Sequence, residues 1–241
     1  MGQNTRRSDR ASTPGDHLVT AVMPTANRPR FVGLAIACFQ AQTYEPKELL
    51  ILDDGDSIRS LVPSDDRIRY YHFDKRLILG QKQNLGCELA AGEVICHWDD
   101  DDWSAPDRME HQVEALLHSR KSVTGYHSST IYDEIQQRAW HYHGPLDWVA
   151  GFSLCYLKSY WANDPFPTIS TGQDTYMVLQ ARARRQLVSL AGRDQMVARR
   201  HSSNTSPFFC WPNYYEEITL DSVPAAFMST LAVTAISEPG A

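Results

Sequence analysis

The sequence predicts an α/β fold with a mostly parallel central sheet flanked by helices. Three observations carry this prediction: apolar runs of strand length, segments of helical spacing between them, and polar residues directly after several of the runs. Strands that alternate with helices form βαβ units, which build a Rossmann-like parallel sheet. Ligands bind outside the carboxyl ends of the strands in such a sheet, so we expect the functional side chains at that edge.

The first half of the chain supplies the parallel strands. Residues 17–23 (HLVTAVM) are rich in β-forming side chains, and we expect this strand to stop at Pro24. Residues 48–52 (ELLIL) are almost entirely apolar, which is typical of a strand covered on both faces. The other elements predicted here are strands at 67–73 and 94–98 and helices at 31–42 and 81–91.

The second half is less regular and richer in aromatic residues. Strand-like segments at 122–126, 138–143 and 153–157 precede a predicted helix at 173–185. We expect these strands to be antiparallel additions to the same sheet rather than a separate domain. The predicted organisation is a disordered tail at 1–16, a single domain at 17–220 and a weakly structured C-terminal segment at 221–241.

Composition argues against several classes of protein. The chain has 241 residues, of which 42% are hydrophobic, and a formal net charge of −6. It contains no run of about 18 apolar residues that would predict a membrane span, and its first 17 residues lack the apolar segment of a secretory signal. The five cysteines form no CxxC pair, which argues against a disulfide framework and favours a cytoplasmic location. The negative charge argues against nucleic-acid binding through a general basic surface.

The strongest local feature is the acidic run at residues 99–102 (DDDD), which lies between Trp98 and Trp103 at the end of a predicted strand. Successive side chains of an extended chain point to opposite faces, so alternate carboxylates share a face. Adjacent carboxylates repel one another, and a hard divalent cation such as Mn²⁺ or Mg²⁺ would compensate their charge. Aspartate is also common before a helix, but helix capping accounts for one such residue and not for four.

A second acidic turn, at residues 53–56 (DDGD), follows the apolar run 48–52. Asp-Gly is a common turn dipeptide, so a solvated turn is one interpretation. A carboxylate at a strand end also accepts hydrogen bonds from a nucleobase N–H or a ribose hydroxyl. Because two acidic strand ends are predicted on one edge of the sheet, we favour the ligand-binding interpretation.

Together with residues 24–28 (PTANR), these motifs resemble those of the family 2 glycosyltransferases, which have the GT-A fold. That family carries a P-T-x-N-R-type segment, a strand-end D-D-G and a D-x-D motif in this order. Residues 80–84 (GQKQN) are similar to its G-x-x-R-N stretch, with Gln83 at the position of the arginine. Residues 171–174 (TGQD) resemble its G-E-D motif, with Gln173 in place of the glutamate. The resemblance covers about residues 17–210 and implies a single GT-A domain.

The resemblance implies a nucleotide-sugar site at the strand ends. It places Thr25, Asn27 and Arg28 along the nucleotide pocket, and it places Asp53 or Asp54 against the base, commonly uracil. Asp99 would lie near the ribose or the donor sugar. The residues expected to bind the donor are Pro24, Thr25, Asn27, Arg28, Asp53, Asp54, Lys82, Asp99 and Asp100.

The resemblance also assigns the metal site and the catalytic base. Asp101 would be the chief ligand of Mn²⁺ or Mg²⁺ with Asp102 close by, and His201 would complete the site, as a late histidine does in some GT-A enzymes. Asp174 would take the proton from the acceptor hydroxyl. From the residues alone, the favoured interpretation of Asp174 is a place in the first turn of a helix, where an acid stabilises the helix dipole.

Two further features leave alternatives open. His141 and His143 share one face of the segment 138–143, which suits a metal pair, although histidines that alternate with aromatic residues are more often half-exposed strand residues. Residues 182–200 hold six arginines and one aspartate, a local charge of +5. This stretch suits either a solvated basic surface or an anionic acceptor such as a nucleic acid, a lipid-linked sugar or an acidic glycan.

The sequence therefore predicts a cytoplasmic, metal-dependent, inverting glycosyltransferase that moves a sugar from a nucleotide-diphosphate donor, most simply a UDP-sugar, to a hydroxyl acceptor. A nucleotidyltransferase of similar fold is one alternative, although no glycine-rich basic loop follows the first strand. A non-catalytic nucleotide- or sugar-binding module is the other alternative, and the glutamines at positions 83 and 173 leave it open.

Overall fold

The computed structural model describes residues 14–205 and 213–237 of the chain. The greater part of the predicted N-terminal tail, up to residue 13, and the last four residues of the predicted C-terminal segment lie outside the described residues. In chain order the strands are β1 (Val19–Thr25), β2 (Lys47–Asp53), β3 (Ile68–His72), β4 (Val94–His97), β5 (Trp103–Ser104), β6 (Val123–Tyr126), β7 (Ser128–Asp133), β8 (Arg138–His143), β9 (Cys155–Leu157), β10 (Leu187–Leu190), β11 (Met196–Arg200) and β12 (Tyr215–Ile218). The α-helices are α1 (Pro29–Gln40), α2 (Leu79–Leu89), α3 (Arg108–Ser119), α4 (Lys158–Asn163), α5 (Gln173–Ala183) and α6 (Ala225–Ser237).

The main sheet confirms the predicted α/β architecture. Its seven strands lie in the order β10-β6-β9-β4-β1-β2-β3, and β1 pairs in parallel with both β2 and β4. Of these seven strands, β9 alone runs antiparallel to its neighbours, β4 and β6. The carboxyl ends of β1, β2 and β4 therefore lie on one edge, where the polar segments after them meet.

Helices cover both faces of the main sheet. On one face α1 and α3 belong to the same core cluster as the inward-facing side chains of β1 and β2, and Phe39 of α1 and Phe227 of α6 are fully buried in this cluster. On the other face Leu50 and Leu52 pack with residues of α2, α4 and α5. Because both faces of β2 are buried, all seven of its residues lie in the interior, as its apolar run predicted.

The prediction that the first strand stops at Pro24 is wrong, because β1 continues through Pro24 to Thr25. In β1 the backbone of Val22 faces β4 and accepts a hydrogen bond from the Trp98 N–H, so Pro24, two residues on, faces the same side. The β1–β4 pairing ends at Val22 opposite His97. The missing N–H of Pro24 therefore costs no hydrogen bond of the sheet.

The second half differs in part from the prediction. Strands β6, β9 and β10 join the main sheet, but β12, β8, β7, β11 and β5 form a second, five-stranded sheet in that order. Most pairs in the second sheet are antiparallel, and β7 with β11 is parallel. The acidic run 99–102 connects β4 of the main sheet to β5 of the second sheet. This run therefore lies where the two sheets meet.

Both predicted tails are more structured than expected within the described residues. Pro14–Asp16 forms one 3-10 turn, and residues 225–237 of the C-terminal segment form α6. Phe227 anchors α6, because its ring is fully buried and contacts the rings of Trp103 and Tyr132. The segment is predicted to be weakly structured because it is rich in alanine and threonine and contains only one aromatic residue, Phe227. Among the described residues, no helix has the length and apolar character that crossing a membrane requires.

Candidate functional site

A cavity of about 630 Å³ opens where the two sheets meet. Its walls come from the end of β1, the acidic run, the start of α5 and the segment 150–152, with Ile131 and Ala198 contributed by the second sheet. The predicted residues Pro24, Thr25, Arg28, Lys82, Asp99, Asp100, Asp101, Asp102 and Asp174 all line it. Asn27, Asp53, Asp54 and His201 are not among the lining residues.

Three carboxylates of the acidic run form a tight group. Asp99, Asp101 and Asp102 each offer an oxygen, and these oxygens lie within 4.8 Å of one another. Burial raises the pKa of Asp99 to about 8, and the neighbouring carboxylates of Asp101 and Asp100 add to the rise. Burial, together with the charge of Asp101, also raises the pKa of Asp102. The group is thus held in its ionised form only at an electrostatic cost, which a cation would remove.

Asp100 faces away from this group and binds the end of β1. Its carboxylate accepts hydrogen bonds from the Thr25 hydroxyl at 2.6 Å and from Arg28 Nη1 at 2.9 Å. The same Arg28 nitrogen lies 2.9 Å from Asp101 Oδ2, while Arg28 Nη2 donates to the Ser203 carbonyl and the Thr205 hydroxyl. Arg28 therefore joins β1, the acidic run and the loop after β11.

His201 reaches the acidic run through Asp101. Its Nε2 lies 2.9 Å from Asp101 Oδ2, and its ring stacks on Phe31 with the centroids 4.1 Å apart. His201 Nδ1 accepts a hydrogen bond from the Ser203 N–H, so in the neutral imidazole Nε2 carries the proton and donates to Asp101. In this arrangement His201 orients a carboxylate of the group.

Asp53 and Asp54 are buried beneath the cavity and fully engaged by the protein. Asp53 accepts hydrogen bonds from the Tyr70 hydroxyl and from the backbone N–H groups of Gly55 and Ile58. Asp54 is paired with Lys82 Nζ and Arg76 Nη1 and accepts the Leu77 N–H at 2.7 Å. The carboxylates themselves do not line the cavity, whereas their partners Lys82 and Arg76 do, so Asp53 and Asp54 support its floor.

Asn27, in the loop after β1, holds the acidic turn 53–56 in place. Its backbone has a positive φ of 56°, and its Oδ1 accepts the Asp56 N–H at 2.6 Å. A Cβ at Gly55 would lie only 2.3 Å from that Oδ1. The glycine of the D-D-G turn is therefore required for the close approach of the two loops.

Asp174 lies at the start of α5 and faces the cavity. Its Oδ1 accepts the N–H of Thr175 at 2.6 Å, as in a helix first turn. Its Oδ2 lies directly against Gly151, where an added Cβ would come within 1.6 Å of it. The charge of Asp174 also acts on Asp99, so the two carboxylates share one site. The helical and the cavity-facing roles of Asp174 are therefore compatible.

Several cavity residues were not predicted. The amide oxygens of Gln83 and Gln173 are buried and have no hydrogen-bond partner among the described residues, and both side chains line the cavity. Phe152, Tyr142 and Tyr215 also line it, from segments that sequence reasoning treated as irregular or as plain strands. The departures from the family motifs at positions 83 and 173 were the available signal for the glutamines. Tyr142 lies in the aromatic stretch 126–156, which resembles the family's acceptor side, whereas nothing in the local sequence marked Tyr215, which the pairing of β12 with β8 brings in.

The arginine-rich stretch 182–200 is mostly neutralised. Four of its six arginines form ion pairs, namely Arg182 with Asp147, Arg184 with Asp164, Arg199 with Glu134 and Arg200 with Asp133. All four acids lie outside the stretch in sequence, so its local charge of +5 overstated its attraction for an anion. The structure thus gives no support to an anionic acceptor bound there.

Comparison with known proteins identifies the family. The family described as Glycosyl transferase family 2 matches residues 20–186. A Haemophilus influenzae protein named as an uncharacterized glycosyltransferase is 26% identical over 113 residues, which cover 44% of this chain and 45% of that protein. A Campylobacter jejuni GalNAc(5)-diNAcBac-PP-undecaprenol beta-1,3-glucosyltransferase is 33% identical over 92 residues, which cover 35% and 29%. The chain thus spans less than half the length of these curated relatives.

Solved structures show the same fold at low sequence identity. TarS 1-349 of S. aureus, in complex with UDP-GlcNAc, has a TM-score of 0.61 and 12% identity, with 80% of this chain and 62% of that chain covered. The mannosyltransferase PcManGT of Pyrobaculum calidifontis, in complex with GDP-Man and Mn²⁺, has a TM-score of 0.59 and 16% identity, with 76% and 56% covered. With its central sheet, its acidic strand-end run and a family match over more than half its length, the chain belongs to glycosyl transferase family 2.

Proposed function

We propose that the chain transfers a sugar from a nucleoside-diphosphate donor, a UDP-sugar, to a hydroxyl acceptor with inversion at the anomeric carbon and with the help of Mn²⁺ or Mg²⁺. One observation carries the proposal. A single cavity holds both the three-carboxylate group of the acidic run and the carboxylate of Asp174. The first suits a cation that binds a diphosphate, and the second suits a base that activates a hydroxyl.

The donor set supports a hard divalent cation. Asp99, Asp101 and Asp102 provide oxygen ligands only, which is the preference of Mg²⁺ and Mn²⁺. The carboxylate of Asp99 makes no hydrogen bond within the described residues, so its charge lacks a local donor. In the proposed site Asp101 is the chief ligand, Asp102 lies beside it, and His201 orients Asp101 or joins the ligands. When bound, the cation supplies neutralisation of the charge that develops on the departing diphosphate.

The remaining residues of the proposed site bind and orient the donor. Thr25 and Pro24 line the wall at the end of β1, and Lys82 and Arg28 bring positive charge toward the phosphate oxygens. Asn27, Asp53 and Asp54 hold the floor against which the base would lie. The amide oxygens of Gln83 and Gln173 remain to accept hydrogen bonds from hydroxyl or N–H groups of the donor.

Asp174 is the proposed base. An acceptor hydroxyl is a poor nucleophile at neutral pH, so a carboxylate must take its proton as the bond to the anomeric carbon forms. The nucleoside diphosphate leaves with the electron pair of the broken bond, and direct displacement inverts the configuration. Such a base contributes about 10²- to 10⁴-fold to the rate.

A thermal-shift panel of nucleotides and nucleotide sugars, with and without Mn²⁺, tests the proposal. A ligand at about 100 times its Kd stabilises the native state by about 2.7 kcal/mol, so UDP or a UDP-sugar with Mn²⁺ should raise Tm measurably. Asp101→Ala should remove the Mn²⁺-dependent part of the shift. Asp174→Asn should keep the shift and lose transfer.

The alternatives give different results in the same panel. Stabilisation by a nucleoside triphosphate and by no nucleoside diphosphate would indicate a nucleotidyltransferase. In a third outcome, a nucleotide sugar stabilises the protein while its sugar–phosphate bond stays intact in the presence of acceptors and of water. That result would indicate a binding module.

A further inference from the structure

A second cluster of metal-binding side chains lies on the outer part of the second sheet, away from the acidic run. His141 and His143 belong to β8, and Glu216 belongs to the adjacent edge strand β12. One ligand atom from each side chain lies within 4.8 Å of the other two. The two histidines alone are a common strand pattern, and the third ligand comes from pairing with a strand about 75 residues later in the chain.

The register of the sheet brings the three side chains to one face. His141 and His143 are two residues apart, so they point to the same side of β8. Glu216 lies directly opposite His141 in the antiparallel ladder, so it points to that side as well. The imidazole rings already touch, with centroids 5.2 Å apart. The arrangement therefore follows from the backbone and does not depend on one flexible side chain.

The polar atoms of these three side chains are not engaged by hydrogen bonds or ion pairs in the part of the chain that the structure describes. Within residues 14–205 and 213–237, the structure records no side-chain hydrogen bond or ion pair from His141, His143 or Glu216 to another residue. The Nε2 atom of His141 is buried from solvent and has no hydrogen-bond partner among the residues described. A buried polar atom without a partner is uncommon and requires a cause. A bound ion that takes this nitrogen as ligand would be such a cause.

We propose that His141, His143 and Glu216 form a zinc site that fixes β12 to β8. Two imidazole nitrogens and one carboxylate oxygen are ligands that Zn²⁺ prefers, with the fourth tetrahedral position open to water. Zinc–ligand bonds of about 2.0–2.2 Å place ligand atoms about 3.4 Å apart, so the three ligand atoms, which lie at most 4.8 Å from one another, would have to close by up to about 1.4 Å. The acidic run offers a different set of ligand atoms, because its ligands are oxygens only.

The site lies behind one wall of the cavity. Residues on the opposite face of the same two strands, Tyr142 and Tyr215, pair in register and line the cavity, with ring centroids 5.2 Å apart. Among the described strands β12 is the edge of its sheet, and β8 is its one pairing partner there. Holding β12 by a metal therefore holds Tyr215 at the cavity wall. The site is independent of the proposed transfer reaction.

Calorimetric titration of the metal-free protein with Zn²⁺ tests the proposal. Excess Mg²⁺ occupies the carboxylates of the acidic run during the titration, because Mg²⁺ prefers oxygen ligands. We expect one Zn²⁺ per chain, and at least about tenfold weaker binding in His143→Ala and in Glu216→Gln, since even residues behind the ligands affect affinity by that much. His118→Ala, at an exposed histidine on α3, is the matched control and should bind Zn²⁺ like the unaltered protein.

His143 is half-buried near the end of β8 and Glu216 is exposed on the edge strand β12, so the protein should fold in each case. Amide hydrogen exchange gives a second measurement, and Zn²⁺ should slow exchange across residues 215–218 in the unaltered protein but not in Glu216→Gln. Zinc binding that neither variant weakens, absence of binding in excess Mg²⁺, or unchanged exchange across β12 would each overturn the proposal.

Discussion

The missing side chain at Gly151 determines where the carboxylate of Asp174 can lie. Asp174 Oδ2 occupies the space that a Cβ at position 151 would fill, at a distance of 1.6 Å. Asp174 is additionally held by the Thr175 N–H through its other oxygen. A helix first turn alone would leave this carboxylate free to rotate, whereas contact with the Gly151 backbone fixes its direction into the cavity.

Gly151→Ala should therefore lower the rate of transfer by about 10²-fold, because a displacement of about 1 Å at a catalytic group has that effect. The donor should still bind, since the carboxylates of the acidic run are untouched. Measurement of kcat together with the Kd for UDP in the presence of Mn²⁺ checks both parts. The control is Gly33→Ala on α1, where an added Cβ meets nothing within 4 Å. An unchanged kcat in Gly151→Ala would exclude the positioning role.

At the scale of the element, α6 shows how one buried aromatic residue can hold a helix whose composition predicts little structure. The helix is rich in alanine, serine and threonine, but Phe227 projects from it into the core between Trp103 and Tyr132. Trp103 belongs to β5 and directly follows the acidic run. Packing of α6 therefore supports the strand to which the carboxylate group is attached.

Phe227→Ala should reduce the free energy of unfolding by about 3–5 kcal/mol, as is typical when a buried aromatic side chain is truncated. Chemical denaturation measures the change. Ser229→Ala, on the exposed side of the same helix, should change stability by no more than about 0.5 kcal/mol. Equal stability of the two variants would mean that α6 contributes nothing to the core.

At the scale of the whole molecule, Arg28 connects the parts of the site that the two sheets supply. Its guanidinium bonds to Asp100 and Asp101 in the run between the sheets and to residues 203 and 205 after β11. One half-buried cation thus compensates part of the charge of the acidic run and holds the loop that carries His201. The same positive charge opposes any cation that binds Asp101.

Arg28→Gln should strengthen the binding of Mn²⁺ in the absence of nucleotide by roughly tenfold, because loss of a nearby unit charge changes the energy by at least about 1.4 kcal/mol at the dielectric of a protein surface. The same variant should bind UDP more weakly, since the cation that we propose to bind the phosphates is lost. Titration calorimetry with Mn²⁺ alone, and then with UDP, measures both. Arg30→Gln is the control, as Arg30 pairs with Glu134 at the surface. Weaker Mn²⁺ binding in Arg28→Gln than in the control would contradict this account.

The sequence by itself determined the class of fold and the edge of the sheet on which the site lies. Apolar runs such as residues 48–52 are local signals, since a strand buried on both faces must be apolar along its length. The acidic run 99–102 was equally local, because four carboxylates at a strand end have no common structural explanation. These features depend on neighbours in sequence, and the structure places the corresponding segments as expected.

Only the tertiary structure decided which side chains face the cavity. Asp53 and Asp54 belong to the D-D-G motif, but their carboxylates do not line the cavity. They are bonded instead to Tyr70, Arg76 and Lys82. The tyrosines of β8 and β12, the proximity of Gly151 to Asp174, and the third ligand beside His141 all arise from pairings between segments distant in sequence. Periodicity tells which face of a strand is buried, but it carries no information on which strand lies next to it. Which strands lie side by side depends on the packing of the whole chain. A motif in the sequence therefore does not by itself show which of its residues line the cavity.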